Sequence, residues 1–406
     1  MKKIILLILL LIPINVFALE FPEFNSYTVL IYDNTDNKVL YEKNNEEKRQ
    51  IASLTKMLTV YTALDYEENL NKEITITDPM RWAVNWELSI HKIQTGEVYT
   101  VDELLHMCIM ESAADACMAV SFDIAGSESK MAELVDKKAK ELELTDSSFS
   151  NITGLDHENN YSTANDLLKF MKIALNNSKF REIFTCQEYQ LRNGSTIYPS
   201  IYGWAHALGL ELPKLTGDKT GFTDLAGLCL AYTLEIDDHE MIVISLGAPT
   251  DKGYHVMDAV TIMNYLDDNY NYEVLYSKDR TIKTLDIELS KQEKYDIKVL
   301  EDVKKFLPKD YDESLVSYKY EGKDKLSYLD KVGNKIGKIS YYYDNELLYE
   351  QDIILDMNIE MSYKKVLNKY KIHFIVMLSL VILLMIMIKL LHSRKGKVRK
   401  YGKKEN

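Results

Sequence analysis

Metal-ligand patterns are missing from this chain of 406 residues. None of its eight scattered histidines forms an H-E-x-x-H, and none of its four cysteines a C-x-x-C, so a metal site has no sequence support. Cys108, Cys117, Cys186 and Cys229 are also few for a secreted disulfide framework of this length. Cys108 and Cys117 lie nine apart in one predicted helix. That is about 13 Å of helical rise, which puts a bridge between them out of reach. With 16 Gly and 7 Pro, collagen-like and Pro-rich linker architectures are excluded. No internal repeat is present. A hydrophobic content of 46% with 27% charged residues excludes broad disorder, and the length suggests two or three domains.

The two ends differ from the middle. Lys2 and Lys3 precede an apolar run, Ile4 to Ile12, and then Val16-Phe17-Ala18. This reads as a signal peptide over 1–18, cleaved before Leu19; the run is too short for a stable span. Near the other end, Ile372 to Leu391 is almost wholly apolar, about the 20 residues a transmembrane helix needs. Arg394, Lys395, Lys397, Arg399, Lys400, Lys403 and Lys404 follow. A basic flank marks the cytoplasmic side. The expected topology is therefore a single-pass cell-membrane protein: signal peptide 1–18, extracytoplasmic residues 19–371, span 372–391 and basic tail 392–406. The formal charge is −13 overall. Without Lys2, Lys3 and residues 389–406, 39 basic residues face 61 acidic ones, a net −22. Such a surface repels nucleic acid and anionic lipid at long range, so neither is an expected partner.

Along the middle, Tyr27–Tyr32 and Lys38–Tyr41 read as a hairpin around a polar turn. From Ser53, the spacing of Leu54, Met57, Leu58, Tyr61 and Leu64 predicts a helix. Further helices are predicted over Val101 to Ile124 with Asp102 as cap, Glu128 to Leu142 capped by Ser127, Asp166 to Asn176, and Val256 to Leu266. Strands Leu228–Glu235 and Glu240–Leu246 flank an Asp237-Asp238-His239 turn. After about Tyr272 short strand-like runs take over, including Thr281–Leu289, Tyr295–Leu300 and Lys338–Tyr343. This predicts a domain over 19–272, a small β-rich domain over 273–360 and a juxtamembrane segment over 361–371. The β-rich domain reads as a spacer; nothing in the sequence identifies a protein partner for it. Trp82, Trp86 and Trp204 fit a groove or a core equally well and receive no role.

Three short motifs occur in order: Ser53-Leu54-Thr55-Lys56, Ser112-Ala113-Ala114 and Lys219-Thr220-Gly221. In the first, three residues are nearly one helical turn, so hydroxyl and amine share a face. A serine is a weak nucleophile until a base takes its proton, and a lysine of depressed pKa can be that base. In the third, Gly221 allows close backbone approach while Lys219 and Thr220 add charge and a hydroxyl. Each motif alone is weak evidence. Together they match the S-x-x-K, S-D-N and K-T-G set of penicillin-binding proteins and class A β-lactamases. The chain resembles the low-molecular-mass D-alanyl-D-alanine carboxypeptidases among them. The resemblance runs over roughly 24–270, including Asn151–Leu155, Tyr161–Ala164 and Asp218–Thr223, and more weakly through the β-rich domain.

The resemblance implies an α+β catalytic domain, an antiparallel sheet flanked by helices. It implies that Ser53 attacks a terminal D-Ala-D-Ala bond of a peptidoglycan stem peptide and that Lys56 takes its proton. Ser112 passes a proton to the leaving D-alanine. Lys219 lowers the pKa of Lys56 and, with Thr220 and Thr223, holds the substrate carboxylate. The N–H groups of Ser53 and Phe222 form the oxyanion hole, with Gly221 beside them. β-Lactams are implied as inhibitors, and no metal or organic cofactor is implied. The family's second motif is usually Ser-x-Asn, and here Ala114 holds the third position. A methyl group replaces a donor and acceptor, which predicts a slowed or re-tuned enzyme. Asp115 is rotated about 100° away and is a poor substitute. Arg192 to Leu215 resembles the family poorly, so no substrate-binding arginine is assigned. Two other readings are weighed: a catalytically weak or inert wall-binding protein, favoured by Ala114, and a β-lactamase-like hydrolase, disfavoured by the β-rich domain and the anchor.

Overall fold

The computed structural model describes residues 20–84 and 88–401. The expected leader, Trp86 and the last residues of the tail lie outside the described residues. By contacts the described chain forms two units: residues up to Tyr272 with Phe306–Asp310, and Glu273–Lys305 with Tyr311 onward.

In the first unit the predicted hairpin forms as β1 (Thr28–Asp33) and β2 (Lys38–Lys43). The Asp33 carboxylate accepts the N–H groups of Thr35 and Asp36, both at 2.9 Å, which folds the turn between them. The helices that frame the site and the sheet are α1 (Thr55–Tyr66), α2 (Val101–Met110), α3 (Ala114–Ala125), α4 (Glu128–Glu141), α5 (Ala164–Ala174) and α6 (Ser200–Leu208), with shorter helices at Asp78–Trp82 and Ser178–Phe184. Then come β3 (Leu215–Thr223), β4 (Gly227–Ile236), β5 (His239–Ala248) and α7 (Tyr254–Asn269). The five strands make one sheet in the order β2-β1-β5-β4-β3. Every pairing in it is antiparallel. That is the α+β arrangement expected.

Both faces of the sheet are covered. Leu30, Tyr32, Ile242 and Ile244 point into a core shared with α1, α2 and α3. Their neighbours Val29, Ile31, Met241 and Val243 point the other way, onto Val256, Ala259, Ile262 and Leu266 of α7. This alternation is the two-residue period of a strand. Because both faces are dry, the central strands read as continuous apolar runs rather than alternating ones.

The single helix expected over Val101 to Ile124 is two helices. α2 ends at Met110, and Ser112 takes φ +60 before α3 starts at Ala114. Neither Gly nor Pro marks the break. It is held by Ala113 N–H donating to the Met107 carbonyl at 3.1 Å and by Ala114 N–H donating to Ser89 at 2.8 Å. The cap is also Thr100, not Asp102: Thr100 and Glu103 form a reciprocal capping box. The Thr-x-x-Glu spacing was the available signal. The break turns α3 back on α2, so Cys108 and Cys117 are neighbours, with Sγ atoms 2.6 Å apart. The separation expected from one continuous helix is therefore overturned. Ser127 caps α4 as expected, accepting from Lys130 N–H.

The second unit is all-β up to its last helix. β6 (Thr281–Glu288) pairs antiparallel with β7 (Lys294–Lys298). β8 (Val316–Gly322), β9 (Lys325–Ser327), β10 (Lys335–Tyr343) and β11 (Glu346–Ile354) follow. β9 pairs parallel to β6, and β10 lies antiparallel between β8 and β11. Leu285, Ile297, Leu326, Ile339, Tyr341 and Ile353 are buried here. A single helix, α8 (Tyr363–Tyr401), closes the chain. It runs without interruption through the expected span and all of the expected juxtamembrane segment but its first two residues, of which Met361 bridges Ser290. Its start is tied to this unit by Lys369–Glu288 and Lys365–Glu293 pairs at 2.9 and 3.5 Å. Residues Tyr363–His392 are long and apolar enough to cross a membrane.

Candidate active site

Ser53 lies in a single 3-10 turn, Ala52–Leu54, that runs directly into α1. Ala52 has φ +46, a conformation that costs a non-glycine residue about 1–3 kcal/mol. Two glycines make the turn possible. Gly154, at φ +86, packs so closely that a β-carbon there would stand 1.8 Å from the Ala52 carbonyl oxygen. On β3, a β-carbon at Gly221 would stand 3.1 Å from the backbone nitrogen of Ser53. Gly221 thus lets edge strand β3 close on the serine turn.

Lys56 lies one helical turn on and is fully buried. Its Nζ donates to Ser53 Oγ at 2.7 Å, to the Thr153 carbonyl at 3.0 Å and to Ser112 Oγ at 3.4 Å. The helix break described above is what delivers Ser112: its left-handed backbone turns the hydroxyl toward the amine. Burial pushes the Lys56 amine below its ordinary range, against the opposing pull of the Cys117, Cys108 and Asp115 charges. The dominant cause is desolvation.

Lys219 is also fully buried, and its Nζ donates to the Thr220 carbonyl at 2.8 Å. Burial first, and repulsion from Lys56 second, bring it down to about 7. The neighbouring Asp218 is pushed up to about 7 by burial. Both move toward neutrality because the dry sheet edge penalises either charge.

A cavity of about 200 Å³ opens at this point. It brings Ser53, Ser112, Thr220, Gly221 and Phe222 together. Lys56 and Lys219 lie behind its wall. Thr223 does not face it: its hydroxyl is held by the Asp156 carboxylate at 2.5 Å and accepts Ala226 N–H at 3.1 Å. Ser89, Ser200 and His255, which the sequence did not single out, also line the cavity, as does Trp204, for which groove and core were left open. Ser200 Oγ is 2.6 Å from Thr220 Oγ1. Ser200 and Trp204 come from α6, inside the Arg192–Leu215 stretch that resembles the family poorly, and His255 lies in the first turn of α7; no spacing rule assigns them. Trp82, by contrast, is exposed. Arg192 pairs with Glu73 and Glu103 and contributes nothing to the cavity.

Ala114 is fully buried at the start of α3. Asp115 faces away from the lysines: its carboxylate accepts the N–H groups of His91, Lys92 and Ile93 at 2.7–3.0 Å. It cannot stand in for a polar side chain at 114. Asp33, Asp36 and His239 form the one group of side chains among the described residues with metal-like spacing. His239 Nδ1 and Asp33 Oδ2 bond each other at 2.9 Å, and Asp33 Oδ1 is used by the β1–β2 turn.

A family model described as D-alanyl-D-alanine carboxypeptidase matches residues 15–250, and one described as penicillin-binding protein 5, C-terminal domain, matches 270–361. The chain is 28% identical over 330 residues to the D-alanyl-D-alanine carboxypeptidase DacF of Bacillus subtilis, covering 80% of this chain and 84% of that one. It is 29% identical over 249 residues to DacC of Escherichia coli, covering 58% and 60%. Among solved structures it is similar to penicillin-binding protein 5 of Haemophilus influenzae, with a TM-score of 0.59 at 21% identity. The match covers 84% of this chain and all of that one.

Proposed function

The chain belongs to the D-alanyl-D-alanine carboxypeptidase family, and on that premise we propose that Ser53 carries a serine-type D-Ala-D-Ala carboxypeptidase activity on peptidoglycan stem peptides. The supporting observation is the 2.7 Å contact between Ser53 Oγ and the buried, pKa-lowered amine of Lys56. In this reading Lys56, as the neutral amine, takes the Ser53 proton while Oγ attacks the carbonyl of the penultimate D-alanine. Ser112, in contact with Lys56 Nζ, relays that proton to the departing D-alanine nitrogen. The backbone N–H groups of Ser53 and Phe222 receive the developing oxyanion. Thr220, with Lys219 behind it, binds the substrate carboxylate. Water then hydrolyses the ester. β-Lactams acylate the same serine.

Two measurements test the roles. The first is a pH profile of acylation by a fluorescent penicillin. The base acts only as the neutral amine, and burial lowers its pKa, so acylation persists below the ordinary lysine range and falls as pH drops through the depressed value. A rate flat in pH from the acid to the alkaline side contradicts a lysine base. The second is Ala114→Asn. Restoring a hydrogen bond to a charged group is worth roughly 1.5–3 kcal/mol. The variant is expected to acylate about 10- to 100-fold faster. An unchanged rate means that the missing amide is not what limits this enzyme.

The same reading extends to place. The predicted leader, the span within α8 and the basic residues after it support a single-pass anchor with the catalytic unit outside the cell and the tail inside. A protease added to intact spheroplasts is then expected to remove the catalytic unit and spare a C-terminal tag.

A further inference from the structure

Cys108 and Cys117 are both 1% exposed, one on the last turn of α2 and the other on the first turn of α3. Their sulfurs are 2.6 Å apart, against about 2.05 Å for a bonded pair. Between them lie only the residues of the break: Glu111, Ser112 and Ala113, with one helical turn on either side. We propose that Cys108 and Cys117 form an intramolecular disulfide that pins the α2–α3 turn and so positions Ser112 against Lys56.

Three observations carry this. Each sulfur's nearest partner is the other, in a dry site where burial pushes the Cys108 thiol far above its ordinary range. The turn is also a strained one: Ser112 sits at φ +60 without a glycine's freedom, with the Ala113 and Ala114 backbone bonds on its C-terminal side. And the cross-link closes a loop that carries the Ser112 hydroxyl, 3.4 Å from Lys56 Nζ.

The bond needs an oxidant, a small-molecule or protein disulfide. One cysteine thiolate attacks it and releases one thiol; the second cysteine then attacks the mixed disulfide and releases the other. Cys108 and Cys117 lose two electrons and two protons, and the oxidant's disulfide becomes two thiols. Because the folded pair is buried, the exchange takes place as α2 and α3 come together.

The bond itself does not depend on the hydrolase reading; the positioning of Ser112 does. Two readouts separate them. The full chain, purified in detergent and also refolded with oxidised glutathione, is alkylated in denaturant and cut after glutamate. Cleavage at Glu103, Glu111 and Glu128 puts the two cysteines on separate peptides, 104–111 and 112–128. The expected result is one linked pair that separates on reduction. Both peptides alkylated and unlinked in both preparations overturn the disulfide. The second readout is acylation by a fluorescent penicillin before and after reduction with a phosphine. Wild type is expected to slow about threefold or more on reduction, while Ser112→Ala, already slow, does not change further. An equal loss in both proteins, or none in wild type, overturns the positioning role.

Discussion

Lys56→Ala is expected to slow acylation of Ser53 by about 10²–10⁴-fold, the usual contribution of a positioned base. The case rests on what surrounds the amine. It is fully buried, one helical turn from the serine, and bonded to Ser53 Oγ, Ser112 Oγ and the Thr153 carbonyl. A buried lysine serving only stability would be a poor choice, since its charge is expensive to desolvate. Burial instead shifts the amine toward its neutral form, which is the form a base requires. The check is the second-order rate of penicillin labelling, with circular dichroism to show that the variant is folded. A folded variant that acylates at the wild-type rate removes Lys56 from the mechanism.

Gly154→Ala is the second large effect, and it acts through geometry rather than chemistry. The added β-carbon meets the Ala52 carbonyl oxygen at 1.8 Å, and the backbone at 154 has φ +86. The positive φ alone costs about 1–3 kcal/mol. The collision cannot be relieved by a side chain, because its partner is backbone. Either the 151–155 loop or the Ser53 turn must move. Moving the loop withdraws the Thr153 carbonyl from Lys56; moving the turn displaces Ser53. Both a lower melting temperature and slower acylation are expected. Wild-type values for both mean that the loop tolerates the shift and that the serine turn is not braced there.

Much of this site was legible in the sequence, and the reason is local. Ser53 and Lys56 share a helical face because three residues are nearly one turn, so spacing alone placed them. Gly221 marked a close approach because only glycine leaves room for one. The break at Ser112 was not legible. Glu111, Ser112 and Ala113 contain no helix breaker, and the turn is fixed by Ser89, 25 positions before Ala114. The apposition of Cys108 and Cys117 follows from that break, so it was hidden too. Ser200 and His255 reach the cavity through the packing of α6 and α7, which no short motif encodes. Lys56 was expected to owe its low pKa to Lys219; burial is the larger cause, and the repulsion between the two amines acts visibly on Lys219 instead. In the second unit, the strands could be read from their alternation. The return of Phe306–Asp310 to the first unit could not, because Phe306 is drawn there by stacking on His239 and Tyr270 at 4.8 and 5.2 Å.

Residue roles converge on one covalent intermediate. The full chain is treated with a penicillin, digested with trypsin and mapped by mass, while release of D-alanine from a pentapeptide is followed in parallel. Cleavage at Arg49 and Lys56 isolates Ser53 on peptide 50–56. The adduct is expected on that peptide at Ser53, with D-alanine released by the untreated protein and not by the acylated one. An adduct on another serine, or no adduct and no release, contradicts Ser53 as the nucleophile.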